Sequence, residues 1–448
     1  MFRILSKVFN INEIQARKYS SGSFWMSLEK IGRLAVNLIV GIWIARYLGP
    51  SDYGLLNYGI AFVTILFPIV HFGLQGILVK ELYQNPKHTY SILGTSFMFK
   101  AIISILVFFV FITLTWFNFF SVQEEKWVMI FVSFSILFQP FLVLECWYEA
   151  QVDLKRVSLF KGVFFVILSG IKIIMIYQER SVETFALLFS FEFLFMAIAL
   201  LVAYYFSGEK VLKWQFNQNL LKNLVSKSWL LTLSSISAIV YLKIDQVMLG
   251  QMTSDIELGV YSAAVKLSES WYFVPVILSN SLFPAILEAK KGSLKNYMSR
   301  LQQLSNLFFT LAFFLALMVT LIAPFLINSL FGSDYSSAID ILRLHIWAAI
   351  FIFLRAIFSK WLIAENMYKF SLISQLSGAL VNVILNLVLI PIYGGYGAAI
   401  ATLFSYATTS LLILGLFKST RDLFFVFLKS FLAPFKFVSF YERLFKKN

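Results

Sequence analysis

Positively charged side chains stand inside hydrophobic stretches that are long enough to cross a bilayer. A charge at membrane depth costs roughly 2.5–3.5 kcal/mol even on the most lenient insertion scales. Such cations are tolerable only where they face a wet internal cavity or partners inside a helical bundle, and a cavity lined by cations favours an anionic cargo. Eleven residues are placed in this way: Lys30, Arg33, Arg46, Lys100, Lys161, Lys172, Lys243, Lys266, Arg343, Arg355 and Lys360.

Three polar residues at the start of the first hydrophobic stretch share one helical face. Lys30, Arg33 and Asn37 follow each other at i, i+3 and i+7, a spacing that aligns side chains along a helix. Arginine binds phosphate through paired N–H groups, and lysine binds it as a point charge. We therefore predict that Lys30 and Arg33 contact the cargo. The alternative is an ion pair that holds this helix in place, since Glu29 lies four residues before Arg33.

The candidate site residues, including those just named, divide into two groups. The predicted substrate-binding cations are Lys30, Arg33, Lys100, Lys172, Lys266 and Arg355. The predicted residues for ion coupling or gating are Asp245, Glu269, Glu29 and Lys243. An acid beside a cation could change its charge state as the cavity switches sides, and a structural ion pair or helix-end contact is the alternative.

No motif indicates catalysis or a metal site. The single cysteine and the three widely separated histidines do not have the spacing of zinc ligands. Phosphate-binding loops, nucleophile elbows and paired-histidine metalloprotease motifs are absent from the sequence. We therefore predict no catalytic residue, no metal and no cofactor apart from a coupling ion, which would be a proton or sodium.

The elements that must position these charges are membrane helices. Of the 448 residues, 59% are hydrophobic and 13% are charged, whereas soluble domains are about 45–50% apolar and about 25% charged. The net charge of +14 could suggest nucleic acid as a partner. No long soluble basic segment is available to grip a duplex, however, so nucleic-acid binding is excluded.

Twelve stretches have the roughly 20 apolar residues that a spanning helix needs. They are 27–47, 56–79, 91–117, 127–147, 158–178, 184–206, 228–250, 259–285, 303–328, 338–363, 370–392 and 395–417. With this count, the loop lysines and arginines fall almost entirely in the even-numbered loops and the two termini, and the odd-numbered loops hold only Lys126 and Arg180. The positive-inside rule then places both termini in the cytoplasm. The exterior loops are too short for a large catalytic domain.

The two halves of the chain repeat a pattern. Leu48-Gly49 and Leu249-Gly250 each end a span, and in both places an acidic turn and a glycine follow. An offset of six spans predicts parallel repeats. We predict an all-α polytopic membrane protein with two six-helix lobes around a central cavity. The lobes are residues 1–206 and 228–417, joined by a cytoplasmic connection at 207–227. Residues 418–448 form a basic amphipathic cytoplasmic tail that lies on the anionic inner leaflet.

Three segments carry a resemblance to a known family. They are residues 45–54 (ARYLGPSDYG), residues 244–250 (IDQVMLG) with 259–264 (GVYSAA), and residues 386–402 (NLVLIPIYGGYGAAIAT). In this order they resemble the signatures of bacterial polysaccharide flippases. These are the O-antigen or capsule repeat-unit flippases of the multidrug/oligosaccharidyl-lipid/polysaccharide exporter superfamily. One departure from the pattern is Lys243, which stands two residues before the signature acid Asp245.

The resemblance implies a flippase of the bacterial cytoplasmic membrane. It would move undecaprenyl-pyrophosphate-linked oligosaccharide from the cytoplasmic to the outer leaflet by alternating access, without covalent chemistry and hence not as an enzyme. The implied partners are the lipid-linked oligosaccharide and membrane lipids, with polysaccharide assembly proteins as further candidates. A drug or cation antiporter of the same superfamily is the alternative function, and an O-antigen polymerase or ligase is a weaker one.

Overall fold

The computed structural model describes residues 13–117, 126–151 and 154–436. Within these ranges, no side chain is described for residues 13–28, Lys30, Leu154, Arg156 and Tyr368. The predicted cargo contact of the Lys30 side chain therefore lies outside the described part of the structure. The same holds for the predictions that concern residues 1–12 and 437–448.

The described residues form helices and contain no strand. Close contacts divide the chain into unit 1, which is Met1–Leu48 with Leu55–Ile236, and unit 2, which is Gly49–Gly54 with Ser237–Asn448. This division places the predicted connection, 207–227, inside unit 1. The two predicted six-helix lobes stay a prediction.

Eight helices account for most of the chain up to Met252. They are α1 (Glu13–His71), α2 (Gln75–Gln84), α3 (Thr89–Trp116), α4 (Lys126–Phe138), α5 (Val143–Gln151), α6 (Leu154–Tyr177), α7 (Val182–Phe206) and α8 (Gln218–Met252). The core of unit 1 lies where α2, α3, α5 and α7 meet, and it includes Leu78, Leu93, Tyr148 and Tyr204.

The remaining helices belong to unit 2. They are α9 (Asp255–Glu269), α10 (Phe273–Lys291), α11 (Leu294–Leu330), α12 (Ala338–His345), α13 (Ala348–Ala364), α14 (Tyr368–Ala407), α15 (Ile413–Leu416) and α16 (Arg421–Ser430). A π-helical turn at Thr408–Leu412 lies between α14 and α15. The core of unit 2 includes Phe308, Phe353, Phe358 and Phe427.

Ten helical segments of the described residues are long and apolar enough to cross a membrane. The two longest, Ile31–Gln84 and Lys369–Leu416, each contain two predicted spans. A glycine interrupts each: Gly49 has φ 74° and ψ 173°, and Gly394 has φ 55° and ψ −133°. A side chain would be strained in either conformation. The prediction of a helical polytopic membrane protein is confirmed, and the count of twelve spans stays a prediction.

The described part of the predicted tail packs on protein. Leu423, Val426 and Phe427 of α16 are buried in the core of unit 2, and α16 contacts α11. The Gln302 side chain of α11 donates to the Val426 carbonyl over 3.0 Å and to the Ser430 hydroxyl over 3.1 Å. The apolar face of this segment therefore packs against α11, and the position of the tail on the inner leaflet stays a prediction.

Candidate functional site

Charged side chains of α1, α5 and α6 meet in unit 1, and we call them the α1–α6 charge cluster: Glu29, Arg33, Glu145 and Lys161. Arg33 Nε lies 3.4 Å from Glu29 Oε1. Lys161 Nζ lies 2.6 Å from Glu145 Oε1 and 4.0 Å from Glu29 Oε2. Lys161 thus stands between two carboxylates, and the predicted pairing of Glu29 with Arg33 is present.

A second ion pair lies further along α6. Lys172 Nζ contacts Glu192 Oε1 of α7 at 2.9 Å. A small cavity of about 70 Å³ lies between this pair and the cluster, with Arg33, Asn37, Lys161 and Glu192 in its lining. The cavity thus has polar groups from both the cluster and the second ion pair in its lining.

Exchange of the two charges in the second pair tests its contribution. Lys172→Ala should lower the free energy of unfolding by about 1–3 kcal/mol, because it leaves the half-buried carboxylate of Glu192 without its partner. The double variant Lys172→Glu with Glu192→Lys should recover at least half of that loss. Thermal unfolding in detergent measures both. Equal stability of the single variant and the wild type would show that the pair contributes little.

Lys100 of α3 is more deeply buried than the other predicted cations whose side chains the structure describes, with 2% of its surface exposed. Glu145, the partner of Lys161, was not among the predicted site residues. Its position sixteen residues before Lys161 was the available sequence signal.

Asp245 lies at the centre of a cluster of buried polar residues in unit 2. It is 2% exposed and accepts hydrogen bonds from three donors on three helices. The Gln246 backbone N–H donates to Oδ1 over 2.8 Å, the Tyr261 hydroxyl of α9 donates to Oδ2, and the Thr402 hydroxyl of α14 lies 3.4 Å from Oδ2. Asp245 and Tyr261 belong to the second signature segment and Thr402 to the third. Their hydrogen bonds bring these two segments together.

Lys243 forms its ion pair with another acid. Its Nζ lies 3.2 Å from Glu269 Oε2, although Asp245 is only two residues away in sequence. Residues two apart on a helix point to different faces, so Lys243 and Asp245 serve different neighbours. Two predicted coupling residues, Lys243 and Glu269, are thus partners of each other.

Arg355 is held inside unit 2 by several contacts. Its Nη1 donates to the Ser374 hydroxyl over 2.8 Å and to the Thr409 carbonyl over 3.0 Å, and the guanidinium lies 4.8 Å from the centre of the Phe358 ring. These bonds attach α13 to α14 and to the π-helical turn. Lys266 is half-buried on α9 and also has a partner.

At least five of the eleven predicted cationic positions form an ion pair with a carboxylate. Arg33, Lys161, Lys172 and Lys243 each face a carboxylate, and a charged partner is one of the two environments that make a cation tolerable at membrane depth. The reason is that a cation at membrane depth is costly until a partner offsets it. Cargo contact by these residues stays a prediction. Among the described residues, no group of three or more histidine, cysteine or acidic side chains could hold a metal ion.

Comparison with known proteins identifies the family. The family described as "Polysaccharide biosynthesis protein" matches residues 20–290. The chain belongs to this family. No curated protein matches the chain by sequence.

Solved structures show which fold this polysaccharide biosynthesis protein has. A lipid II flippase MurJ in an inward closed conformation is similar with a TM-score of 0.71 and 16% identity, over 91% of each chain. An inward-facing multidrug resistance MATE family transporter of the MOP superfamily is similar with a TM-score of 0.66 and 13% identity, over 89% of this chain and 96% of the other. At these identities the likeness establishes the fold, which is that of MOP-superfamily transporters. The predicted family resemblance is confirmed.

Proposed function

We propose that this protein is a flippase for undecaprenyl-pyrophosphate-linked oligosaccharide repeat units, which it moves from the cytoplasmic to the outer leaflet of a bacterial cytoplasmic membrane. The observation that carries the proposal is the match of residues 20–290 to the polysaccharide biosynthesis family. The fold shared with a lipid II flippase supports a lipid-linked cargo. Both termini are cytoplasmic in this proposal, and the protein makes or breaks no covalent bond.

The ion pairs of unit 1 are compatible with reversible binding of an anionic cargo. A lone cation in the empty protein would carry the full cost of desolvation, and a carboxylate partner offsets that cost. An arriving diphosphate can replace the carboxylate on Arg33, since guanidinium groups bind phosphate through two parallel hydrogen bonds. Binding is then an exchange of anionic partners, and release restores the original pair. The headgroup crosses by alternating access while the polyprenyl chain stays in lipid.

Removal of the two leading cations tests the headgroup contact. In vesicles with lipid-linked oligosaccharide, the double variant Lys30→Ala and Arg33→Ala should lower the leaflet-resolved flipping rate by roughly tenfold or more, because charge-assisted hydrogen bonds to the cargo are lost. Arg343→Ala is the matched control, since Arg343 pairs with Asp340 on an exposed surface. Flipping at the wild-type rate in the double variant would refute the contact.

A drug or cation antiporter is the second candidate function, and the fold shared with a MATE family transporter favours it. The same vesicles can be loaded with a fluorescent organic cation. Export driven by a proton or sodium gradient, with no movement of lipid-linked oligosaccharide, would support the antiporter. A polymerase or ligase would instead change the covalent length or carrier of the oligosaccharide, which mass spectrometry of the extracted lipid detects.

We also propose that a proton or sodium ion drives transport and that Asp245 is its site, with Glu269, Lys243 and Glu29 in supporting or gating roles. The support is the burial of Asp245 at the meeting point of three helices. Flipping measured under opposed sodium and pH gradients distinguishes the two ions. Rates that do not depend on either gradient would argue against coupling.

A further inference from the structure

A groove runs between α1 and α6 on unit 1. Its volume is about 500 Å³, which lies within the range of small-molecule sites in proteins. Glu29, Gly32, Arg33 and Val36 line it from α1, and the segment from Ser158 to Ile167 lines it from α6. The proposed transport of a lipid-linked cargo does not by itself say where the lipid chain lies, and this groove offers a place for it.

The groove exists because side chains are missing from both walls. A Cβ atom placed on Gly32 or Gly162 would meet no heavy atom within 4 Å, so these glycines leave space where two larger residues would fill it. The exposed side chains of Val163, Val166 and Ile167 form the apolar wall. The groove can therefore hold an extended hydrocarbon chain.

One end of the groove is charged. Arg33 keeps 33% of its side chain exposed, whereas Glu29 beside it keeps 6%. The contact with Glu29 uses Arg33 Nε, and within the described part of the chain the two Nη groups have no partner. Both Glu29 carboxylate oxygens are buried without a hydrogen bond. Arg33 thus offers its Nη groups for the first contact with an anion at the mouth of the groove, and the exchange of Glu29 for the cargo can start from this contact.

The charged end lies where both helices enter the apolar region. The hydrophobic stretches of the sequence begin at residue 27 on α1 and at residue 158 on α6, close to Arg33 and Ser158. From there the groove extends to Ile167, about 14 Å along the helix at 1.5 Å per residue. A lipid phosphate at the membrane interface would therefore meet Arg33 while its chain follows the groove inward.

An apolar groove alone would not distinguish one lipid from another. The tails of bilayer lipids are as apolar as a polyprenyl chain, so there is no hydrophobic driving force for exchange. Selection must come from the polar end, where a diphosphate offers more negative charge to Arg33 than the phosphodiester of a phospholipid. We propose that the α1–α6 groove holds the isoprene units next to the diphosphate of a polyprenyl-linked cargo, with that diphosphate on Arg33. This inference rests on the proposed flippase function and names the lipid-binding part of its site.

A photo-crosslinking experiment on the full chain in nanodiscs tests the proposal. The probe is undecaprenyl diphosphate with a diazirine in its second isoprene unit, and peptide mapping locates the label. We expect the label on α1 or α6 next to Gly162. Gly162→Leu should reduce labelling there by roughly tenfold, because the leucine fills the groove. Leucine also favours the helix more than glycine does, so the variant should fold.

Gly170→Leu is the matched control. Gly170 is on the same helix, a Cβ there also meets no atom within 4 Å, and the residue is not part of the groove lining. This variant should label at the wild-type level. Arg33→Ala should also lower labelling by roughly tenfold, whereas Arg33→Lys should lower it less because one charged donor remains.

The possible results separate this inference from the flippase proposal. Labelling elsewhere, or labelling that excess phospholipid abolishes as easily as excess undecaprenyl diphosphate, would overturn the groove assignment while flipping by the wild type still stands. Equal labelling of the Gly162→Leu and Gly170→Leu variants would overturn it as well. Failure of the wild type to flip any lipid-linked oligosaccharide would refute the flippase proposal, and the labelling pattern would still decide whether the groove binds a polyprenyl diphosphate.

Discussion

Replacement of Asp245 with alanine is expected to lower the free energy of unfolding by about 3–5 kcal/mol, because three donors lose their shared acceptor inside unit 2 and each unsatisfied buried group costs about 1–3 kcal/mol. Those donors are the Gln246 N–H, the Tyr261 hydroxyl and the Thr402 hydroxyl. Thermal or chemical unfolding of the purified protein in detergent measures the loss. A loss below about 1 kcal/mol would contradict the central role of this carboxylate.

Companion variants divide the effect between structure and ion coupling. Asp245→Asn keeps one acceptor oxygen in nearly the same shape and should lose less stability than Asp245→Ala. Tyr261→Phe removes one donor and should cost about 1 kcal/mol. In the double variant of Asp245→Ala and Tyr261→Phe, the two losses should not add, because the residues share one bond.

The asparagine variant also tests the coupling proposal. If Asp245 binds the coupling ion, Asp245→Asn should fold normally and lose the dependence of flipping on a proton or sodium gradient. If the variant keeps both its stability and its gradient dependence, the ion does not bind at Asp245.

Replacement of Gly259 with leucine is expected to destabilise unit 2 by about 3 kcal/mol, at the upper end of the usual cost of overpacking. A Cβ on Gly259 would collide with the Pro50 carbonyl oxygen, and a Cβ on Gly54 would collide with the Asp255 carbonyl oxygen. Backbone groups yield less readily than the ends of side chains. The two copies of the repeated glycine-containing turn therefore pack directly on each other in unit 2, which includes Gly49–Gly54.

The reciprocal variant and a control complete this test. Gly54→Leu should cause a similar loss, and the double variant should lose less than the sum, because either leucine already separates the two backbones. Gly170→Leu should stay within about 0.5 kcal/mol of the wild type, since its Cβ meets open space. Wild-type stability of Gly259→Leu would show that the turn can move away at little cost.

The candidate site was only partly predictable. Glu29 and Arg33 were expected to pair, since i, i+4 neighbours on one helix meet wherever the helix lies, and the structure has that pair. Lys243 and Asp245 are also close in sequence, yet they do not pair with each other. Lys243 pairs with Glu269, and Asp245 accepts hydrogen bonds from Tyr261 and Thr402. Closeness along the chain indicates contact only when it matches the period of the helix.

Partners on other helices could not be read from the sequence. Lys172 meets Glu192, twenty residues away on the next helix, and Thr402 is 157 residues from Asp245. Glu145 lies near the end of a predicted span, and only the packing of α6 shows that Lys161 contacts it. The groove between α1 and α6 was also unpredicted, because Gly32 and Gly162 belong to it only when their helices lie side by side.

The sequence by itself determined that this is a helical membrane protein and which family it belongs to. Span length, hydrophobicity and glycine-containing signatures are local properties, and the bilayer fixes the length of each helix whatever its neighbours are. Only the tertiary structure decided which carboxylate pairs with which cation. It also decided which glycines pack against the backbone of another helix and which ones leave a groove open. Those pairings depend on how helices far apart in the chain rotate and pack against one another.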